Sequence, residues 1–311
     1  MTDRILDRMS GEDREALRRV CERLGGRPGD LDVEKVFAAV ELLGERDQLE
    51  VSPFVGRWRE EALRWDCDFY SELGERMVAE MRNLIATTHK RVSYLDPLVR
   101  WAADPARATV ATLNYDRAIE VAGAGAGLEV HTGIGRWVQT GRWGWPATGL
   151  RLLKLHGSID WVWEDDPPGR GRLPSRVVVQ TEAWDDEARP PTVVFGARGK
   201  LRAEGPFLAA LTEFEEQLGK ADRLVVIGYS FRDDHVNQVV RRWTFDGAGR
   251  KIVIVDPGFP RHPARDGADA PFRDQLLSHL GAPRENRGTS LEVIRKDARE
   301  ALPTLFPRLP R

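Results

Sequence analysis

The first third of the chain has apolar residues at the spacing that is typical of amphipathic helices. The pattern predicts one helix over Glu12–Leu24 and a second over Val33–Leu43. A longer helical segment begins at Pro53, and Gly74 marks a point at which it can be interrupted. We therefore expect residues 1–104 to form a helical part of the protein.

After residue 105 the pattern changes to short runs of β-branched and other apolar residues, which are typical of strands. These runs are Ala108–Leu113, Leu152–Leu155, Val177–Val179, Thr192–Phe195, Leu224–Ile227 and Lys251–Val255. Because such strands alternate with helical patterns such as Pro206–Leu218, we predict an α/β fold. We expect residues 105–311 to form a Rossmann-like, doubly wound parallel sheet, with the helical part packed on it in one domain. Asp160–Pro191, rich in proline, glycine and acidic residues, is expected to be a surface insertion.

Composition and charge exclude several classes of protein. The 311 residues carry 47 Lys+Arg against 49 Asp+Glu, and 41% are hydrophobic, so the chain can bury a large core and is not a disordered segment. No apolar stretch is long enough to span a bilayer, and the charged N-terminus is unlike a signal peptide. A net charge of -2 gives no general attraction to nucleic acid. We expect a cytoplasmic protein without a membrane or direct nucleic-acid partner.

Polar residues follow four of the predicted strands. Ligands bind at the carboxyl ends of the strands in an open parallel sheet, so these positions are the first candidates for a site. A single polar strand end has little meaning, but four along one edge indicate a binding site. The residues are Thr112, Asn114 and Asp116, then His156, Gly157 and Ser158, then Gly228 and Ser230, and finally Asp256.

The first two of these strand ends have a structural alternative beside the functional one. Asn114 and Asp116 are also suited to cap the helix that follows them, a common role for these residue types. His156 could be a core or turn histidine with its hydrogen bonds satisfied. The apolar strand before it and the Gly-Ser after it favour a catalytic role.

The last two strand ends are suited to a nucleotide. Gly228 permits a close approach of the backbone, and Ser230 beside the following helix N-terminus would suit a phosphate. Asp256 follows that turn at roughly 25–30 residues, near the spacing at which dinucleotide-binding folds place an acid on a ribose hydroxyl. An ordinary strand-to-helix turn is the alternative for Gly228 and Ser230.

The order of the motifs is more informative than any one of them. Thr-x-Asn-x-Asp, Leu-His-Gly-Ser, Val-Ile-Gly-Tyr-Ser-Phe-x-Asp and a final Val-Asp strand follow one another between Ala108 and Pro257. This order resembles the sirtuin-like NAD-dependent family, and more closely its prokaryotic branch in antiphage defence proteins. The resemblance implies that NAD is the substrate, that Asn114 holds the water or substrate near the nicotinamide ribose, and that His156 is the general base. The cofactor-binding residues expected are Thr112, Asp116, Gly157, Gly228, Ser230 and Asp256.

The residue types suit that chemistry. Cleavage of the nicotinamide–ribose bond develops oxocarbenium character on the sugar and needs no strong acid. An imidazole with a pKa of about 6.5 can accept a proton from a hydroxyl or a water at neutral pH. A neutral amide such as that of Asn114 can orient the nucleophile without adding charge.

The cysteines distinguish this chain from the deacylases of the family, which carry a four-cysteine zinc module. Only Cys21 and Cys67 are present, with no Cys-x-x-Cys, so we expect no zinc and disfavour deacylation. NAD hydrolysis to nicotinamide and ADP-ribose, or a transferase use of the same bond, is favoured instead. A dehydrogenase is disfavoured because the Gly-x-Gly-x-x-Gly turn is missing.

The glycine-rich phosphate loop of the family, Gly-Ala-Gly-x-Ser after a first strand, has no counterpart before Asn114. Gly123–Gly127 follows the Thr-x-Asn-x-Asp segment instead, and we interpret it as a helix stop and a turn. A doubly wound sheet without its first strand would have a central gap. Either the natural chain begins upstream of Met1 or the loop has been lost. The second case would favour a nucleotide-sensing or assembly protein that does not turn over NAD.

Tryptophans and arginines are concentrated on either side of His156 in the sequence. The favoured interpretation of the tryptophans is a hydrophobic lid or a partner surface, with stacking on a base as the alternative. The arginines leave a small anion site open. Because NAD depletion is toxic, the resemblance also implies control by a homo-oligomer or a regulatory protein. The residues are Trp137, Trp143, Trp145, Trp161 and Trp163, with Arg136, Arg142 and Arg151.

Overall fold

The computed structural model describes residues 1–9, 11–49, 64–104, 106–165, 176–181, 205–245, 249–265, 267, 269–280 and 289–307. Helices occupy the described chain up to the first strand. They are α1 (Thr2–Arg8), α2 (Gly11–Arg23), α3 (Val33–Gly44), α4 (Cys67–Ile85), α5 (His89–Val92) and α6 (Asp96–Ala102). The first two predicted helices are therefore confirmed as α2 and α3.

Helix α4 is continuous through Gly74, so the expected interruption at that residue is wrong. The helix buries Tyr70, Leu73 and Met77 against α2 and α3, and this apolar face stabilises it beyond the propensity loss of one glycine. The beginning of the predicted segment, from Pro53 to residue 63, lies outside the described residues.

The strands alternate with helices, as the pattern of apolar runs predicts. The parallel strands are β1 (Thr109–Thr112), β2 (Val130–His131), β3 (Leu150–Lys154), β6 (Arg223–Ile227), β7 (Lys251–Val255) and β8 (Ser290–Ile294), and β4 (Trp161–Asp165) and β5 (Arg176–Gln180) form an antiparallel pair. The helices among them are α7 (Ala118–Gly125), α8 (Ile134–Thr140), α9 (Phe207–Gly219), α10 (Asp234–Phe245), α11 (Phe272–Leu280) and α12 (Ala298–Leu305). The α/β class with parallel sheets is confirmed.

The described parallel strands form two three-stranded sheets, in the orders β1-β3-β2 and β6-β7-β8. The edge strands β1 and β6 are only half-buried, whereas the middle strands β3 and β7 are buried. Val110 of β1 and Val225 of β6 both pack around Leu302 of α12, so the two edges share one apolar cluster. Among the described residues, no strand connects these two edges.

Within the Asp160–Pro191 segment, the described residues 160–165 and 176–181 are not a surface excursion. They form the β4–β5 pair, in which Trp161, Val177 and Val178 are buried. Strand β5 contains the predicted run Val177–Val179, whereas β4 was missed because its apolar residues are followed by acidic residues and prolines. The predicted strand Thr192–Phe195 lies outside the described residues. No helix in the described ranges is long and apolar enough to cross a membrane.

Candidate active site

The loop after β1 and the turn after β3 are held together by backbone hydrogen bonds. The strands pair in parallel, with Thr112 opposite Lys154, and the Leu155 N–H donates to the Thr112 carbonyl oxygen over 3.0 Å. The Ile159 N–H donates to the Tyr115 carbonyl oxygen, also over 3.0 Å. The loop that bears Asn114 and the turn that bears His156 therefore lie side by side, at the carboxyl ends of two neighbouring strands.

His156 and Asp233 form a buried pair at this edge. His156 Nε2 lies 2.8 Å from Asp233 Oδ2, and the two residues are 6% and 4% exposed. The other carboxylate oxygen, Oδ1, accepts the backbone N–H groups of His235 (3.0 Å) and Val236 (3.2 Å) in the first turn of α10. A carboxylate at a helix N-terminus is stabilised in its ionised form by these N–H groups and by the helix dipole.

This contact determines which nitrogen of His156 can act as a base. An ionised carboxylate can only accept, so Nε2 carries the hydrogen and Nδ1 presents a lone pair. Nδ1 is buried and has no hydrogen-bond partner among the described residues. The ring of Tyr115 lies beside the imidazole, with centroids 6.1 Å apart. The arrangement leaves one oriented, unused acceptor at the end of β3.

The N-terminal helices contact the same site. The Tyr115 hydroxyl lies 2.8 Å from Glu34 Oε1 in the first turn of α3. Burial, followed by the charge of Glu34, raises the pKa of Tyr115, so its hydroxyl stays protonated and donates to that carboxylate. Asp32, whose side chain caps α3 at the Glu34 N–H, also lies 3.7 Å from the Arg232 guanidinium. Helix α3 is thus joined to two of the loops that form the site.

The loop after β6 is braced in an unusual backbone conformation. Gly228 has φ +64°, and Phe231 has φ +58°, which is rare for a residue with a side chain. Asn237 Nδ2 donates to the Phe231 carbonyl oxygen over 2.9 Å, and the Tyr229 hydroxyl accepts the Asp233 N–H over 3.2 Å. These bonds hold the loop in the conformation that directs Asp233 at His156.

A buried ion pair supports the Asn114 loop from below. Lys154 is 0% exposed, and its ammonium donates to the Asp116 carbonyl oxygen and to Glu120 Oε1, the latter over 2.9 Å. Burial raises the pKa of Glu120, an effect that the Lys154 charge opposes. Asp116 Oδ1 accepts the Ala118 N–H at the start of α7 over 2.9 Å, as the capping alternative expected.

The remaining predicted site residues lie at two neighbouring strand ends of each sheet. In the first sheet, Thr112 Oγ1 accepts the Asn114 N–H over 3.1 Å, Asn114 itself is exposed, and Gly157 and Ser158 are buried beside His156. Gly157 has φ +85°, a left-handed conformation that favours glycine at this turn. The first sheet therefore brings the predicted catalytic pair into one region.

In the second sheet, Gly228 and Ser230 are exposed after β6, and Asp256 is half-buried after β7. The Gly228 N–H donates to the Val255 carbonyl oxygen over 3.1 Å, which places this glycine next to Asp256. One oxygen of Asp256 accepts the Gly258 N–H over 2.7 Å. The contact between His156 and Asp233 joins this second group to the first.

Sequence reasoning missed Asp233 and Tyr115 as members of the site. Asp233 was visible as the acid of Gly-Tyr-Ser-Phe-x-Asp, and Tyr115 as the residue between the Asn and Asp of Thr-x-Asn-x-Asp. Nothing in the sequence showed that Asp233 would cross from the second sheet to reach His156. The sequence analysis assigned no role to Tyr115.

Two sequence features prove to be structural. Gly123 and Gly125 end α7, and a Cβ at either would lie 2.3 Å from Val130 or 2.1 Å from the His89 ring, so both serve close packing. Trp137, Trp143, Trp161 and Trp163 belong to one hydrophobic core cluster, whereas the sequence indicated a hydrophobic lid or a partner surface. Among the residues the structure describes, no group of three His, Cys, Asp or Glu is placed to hold a metal ion.

Comparisons with known proteins agree with these motifs. A family profile described as a SIR2-like domain matches residues 108–272, just over half of the chain. The structure of Sir2Tm bound to a propionylated peptide is 16% identical, with a TM-score of 0.41, and the match covers 77% of this chain and 81% of that one. A Sir2 homolog–NAD complex is 17% identical, with a TM-score of 0.38 and coverage of 88% and 92%. The comparison with curated proteins finds no significant match.

Proposed function

The chain belongs to the SIR2-like family, and on this premise we propose that it is a hydrolase that cleaves NAD to nicotinamide and ADP-ribose. The observation that carries the proposal is the buried His156–Asp233 pair with an unpaired Nδ1, beside the loop that bears Asn114. Because Nε2 is oriented by Asp233, the Nδ1 lone pair at the end of β3 is available to a ligand or a water.

The residues present fit the nicotinamide–ribose end of NAD. The His156 Nδ1 atom is an orphaned acceptor that a ribose hydroxyl or a water can fill. Gly228 has no atom within 4 Å of the position that a Cβ would take, so its backbone is open to close approach. Ser230 and Asp256 would bind the phosphates and the adenosine ribose, and Thr112, Asp116 and Gly157 would shape the nicotinamide pocket.

When bound, NAD supplies a glycosidic bond whose cleavage leaves positive charge on the ribose. Asn114 would orient a water toward the ribose carbon, and His156 Nδ1 would accept a proton from that water as the new C–O bond forms. The electrons of the broken C–N bond go to the nicotinamide nitrogen. The balance is NAD⁺ plus water giving nicotinamide, ADP-ribose and a proton. Asp233 would stabilise the imidazolium that His156 becomes.

The helical part and a partner would have supporting roles. Residues 1–104 would hold the site from one side through Glu34, and residues 105–311 would carry the NAD-binding sheet. Uncontrolled loss of NAD is toxic to a cell, so we place this activity in an antiphage effector that a homo-oligomer or a regulatory protein restrains. Cytoplasmic location is part of the same proposal.

One observation favours a second function. Strands β1 and β6 are edge strands, so the two sheets are separate within the described chain, and no counterpart of the family's glycine-rich phosphate loop precedes Asn114 in the sequence. A protein with that half of the site altered could bind a nucleotide, or hold a partner, without turning NAD over.

Nicotinamide release from NAD, followed by chromatography, tests the proposal. We expect release by the wild-type chain and its loss in His156→Ala and in Asn114→Ala, with circular dichroism unchanged. Full activity in both variants would overturn the assignment of the site. No release by the wild-type chain, with calorimetric binding of NAD, would establish the sensing function instead.

A further inference from the structure

A cavity lies apart from the site around His156, at the carboxyl end of β2. Its volume is about 430 Å³, within the range of small-molecule sites in proteins. Helix α8, the segment Gly144–Pro146 and Gln180 of β5 form its walls. None of the residues that line it belongs to the candidate active site.

The chemistry of the wall is that of an anion site. Arg136 and His131 line the cavity, and no aspartate or glutamate does so. The nearest carboxylate to His131 is that of Glu129, whose Oε2 lies 3.5 Å from Nε2 and whose side chain is 77% exposed to solvent. A cavity lined by a guanidinium and an imidazole, with no acid, favours a ligand that carries negative charge.

The indole nitrogen Nε1 of Trp145 is buried without a hydrogen-bond partner in the described chain. His131 Nε2 is also buried, and its contact with Glu129 Oε2 is long, at 3.5 Å. An indole N–H can only donate, and a buried donor without an acceptor is costly unless a ligand or water completes it. The wall thus offers a hydrogen-bond donor, the Trp145 indole N–H, that no group of the described chain uses.

The cavity is also preformed. The Thr132 hydroxyl, 95% buried, donates to Gln180 Oε1 over 3.2 Å, and Gln180 Nε2 donates to Asp160 Oδ2 over 2.8 Å. Trp145 is held by packing with Leu153 and by Arg151, whose guanidinium lies 5.9 Å from the ring centroid. These contacts hold Thr132, Gln180 and Trp145 in place before a ligand binds, which lowers the entropy cost of binding.

We propose that this cavity binds a nucleoside monophosphate. Its phosphate meets Arg136 and His131, and its base lies against Trp145. The guanidinium of Arg136 suits the phosphate, and the large aromatic ring of Trp145 with a free donor suits a flat base with acceptor atoms. Neither feature depends on the chemistry at His156, so the site is separate from the proposed hydrolysis.

Calorimetric titration with AMP tests this site. We expect AMP to bind the wild-type chain and the affinity to fall at least tenfold in Arg136→Gln, which removes a charge-assisted contact. Arg142→Gln is the matched control, because Arg142 is an exposed arginine of the same segment that does not line the cavity. It should change the affinity less than twofold.

Three further arms locate the ligand. Ribose 5-phosphate should bind at least tenfold more weakly than AMP, because it lacks the base. Gly135→Leu places a side chain on the cavity wall at a position where a Cβ meets no atom within 4 Å, and it should also weaken AMP binding. His156→Ala should leave AMP binding unchanged. Absence of AMP binding, equal affinity in Arg136→Gln, or loss in His156→Ala would overturn the proposal.

Discussion

Asp233 receives a hydrogen bond from His156 across the two parallel sheets, over 2.8 Å between Oδ2 and Nε2. His156 follows β3 of the first sheet, and Asp233 precedes α10 of the second. One oxygen of this carboxylate caps the helix, and the other accepts from the imidazole. The position of His156 therefore depends on the correct folding of the second sheet.

Asp233→Asn should reduce NAD hydrolysis by about 10²–10⁴-fold while the protein stays folded. An asparagine can still cap α10, but it cannot stabilise the charge that His156 gains, and it can favour the wrong tautomer. The measurement is the rate of nicotinamide release at saturating NAD.

Asp234→Asn is the control for that experiment. Asp234 is the adjacent, exposed acid in the first turn of α10 and makes no contact with His156. It should keep nearly full activity. Equal losses in the two variants would indicate that the helix start matters, and not the contact with His156.

Tyr115→Phe should change how stability depends on pH. The folded pKa of Tyr115 lies above its unfolded value of 10.0, so above pH 10 the unfolded chain loses a proton that the folded protein keeps. The sign is therefore a loss of stability as pH rises, about 1.4 kcal/mol per pH unit at most for one group.

Urea unfolding at pH 8, 9.5 and 11 measures this effect. Between pH 9.5 and 11 the wild-type chain should lose about 1 kcal/mol more than Tyr115→Phe does. At pH 8 the wild-type chain should be the more stable by about 1 kcal/mol, because the variant leaves Glu34 without its phenol donor. Parallel pH curves for the two proteins would show that Tyr115 is not buried as described.

The sequence predicted what depends on local patterns and left out what depends on long-range contacts. Helices α2 and α3 and strands β1, β6 and β7 followed from apolar spacing, because each buries a continuous run or one face. The polar residues predicted to follow strands do lie at the carboxyl ends of strands in the two parallel sheets. Strand β2 has two residues, and β8 carries Glu292 in its centre, so neither gave a recognisable run.

The sequence analysis missed two contacts of the site because they also depend on long-range pairing. The Asp233–His156 contact joins residues 77 positions apart, and the Tyr115–Glu34 contact joins residues 81 apart. No spacing rule reports such pairs. The glycines of Gly123–Gly127, by contrast, could be interpreted correctly, because a helix end is a local event.

Lys154→Met should destabilise the protein by about 3–5 kcal/mol, since it leaves Glu120 buried without its partner. The pKa of Glu120 is already raised by burial and would rise further without Lys154, so the folded variant takes up a proton more readily than the unfolded chain. The loss in free energy of unfolding, relative to the wild-type chain, should therefore be smaller at pH 5 than at pH 8. Urea unfolding of both proteins at the two pH values measures it.

The double variant Lys154→Met/Glu120→Met should recover most of that loss, because two apolar side chains of similar size replace the pair. A double variant as unstable as Lys154→Met alone would contradict this account. Nicotinamide release should fall in the single variant, because the Asp116 carbonyl loses the ammonium that holds the Asn114 loop.

Gly228→Ala should distinguish the effect of Gly228 on stability from its effect on ligand binding. With φ +64°, an alanine there costs about 1–2 kcal/mol of stability, although its Cβ would meet no atom of the protein within 4 Å. If Gly228 approaches NAD, the KM for NAD should rise at least tenfold, because the added methyl group occupies the space of the ligand. Gly219→Ala is the matched control: its Cβ also meets no atom, but Gly219 ends α9 without a positive φ. It should leave both stability and KM nearly unchanged, and a KM unaffected in Gly228→Ala would remove Gly228 from the NAD site.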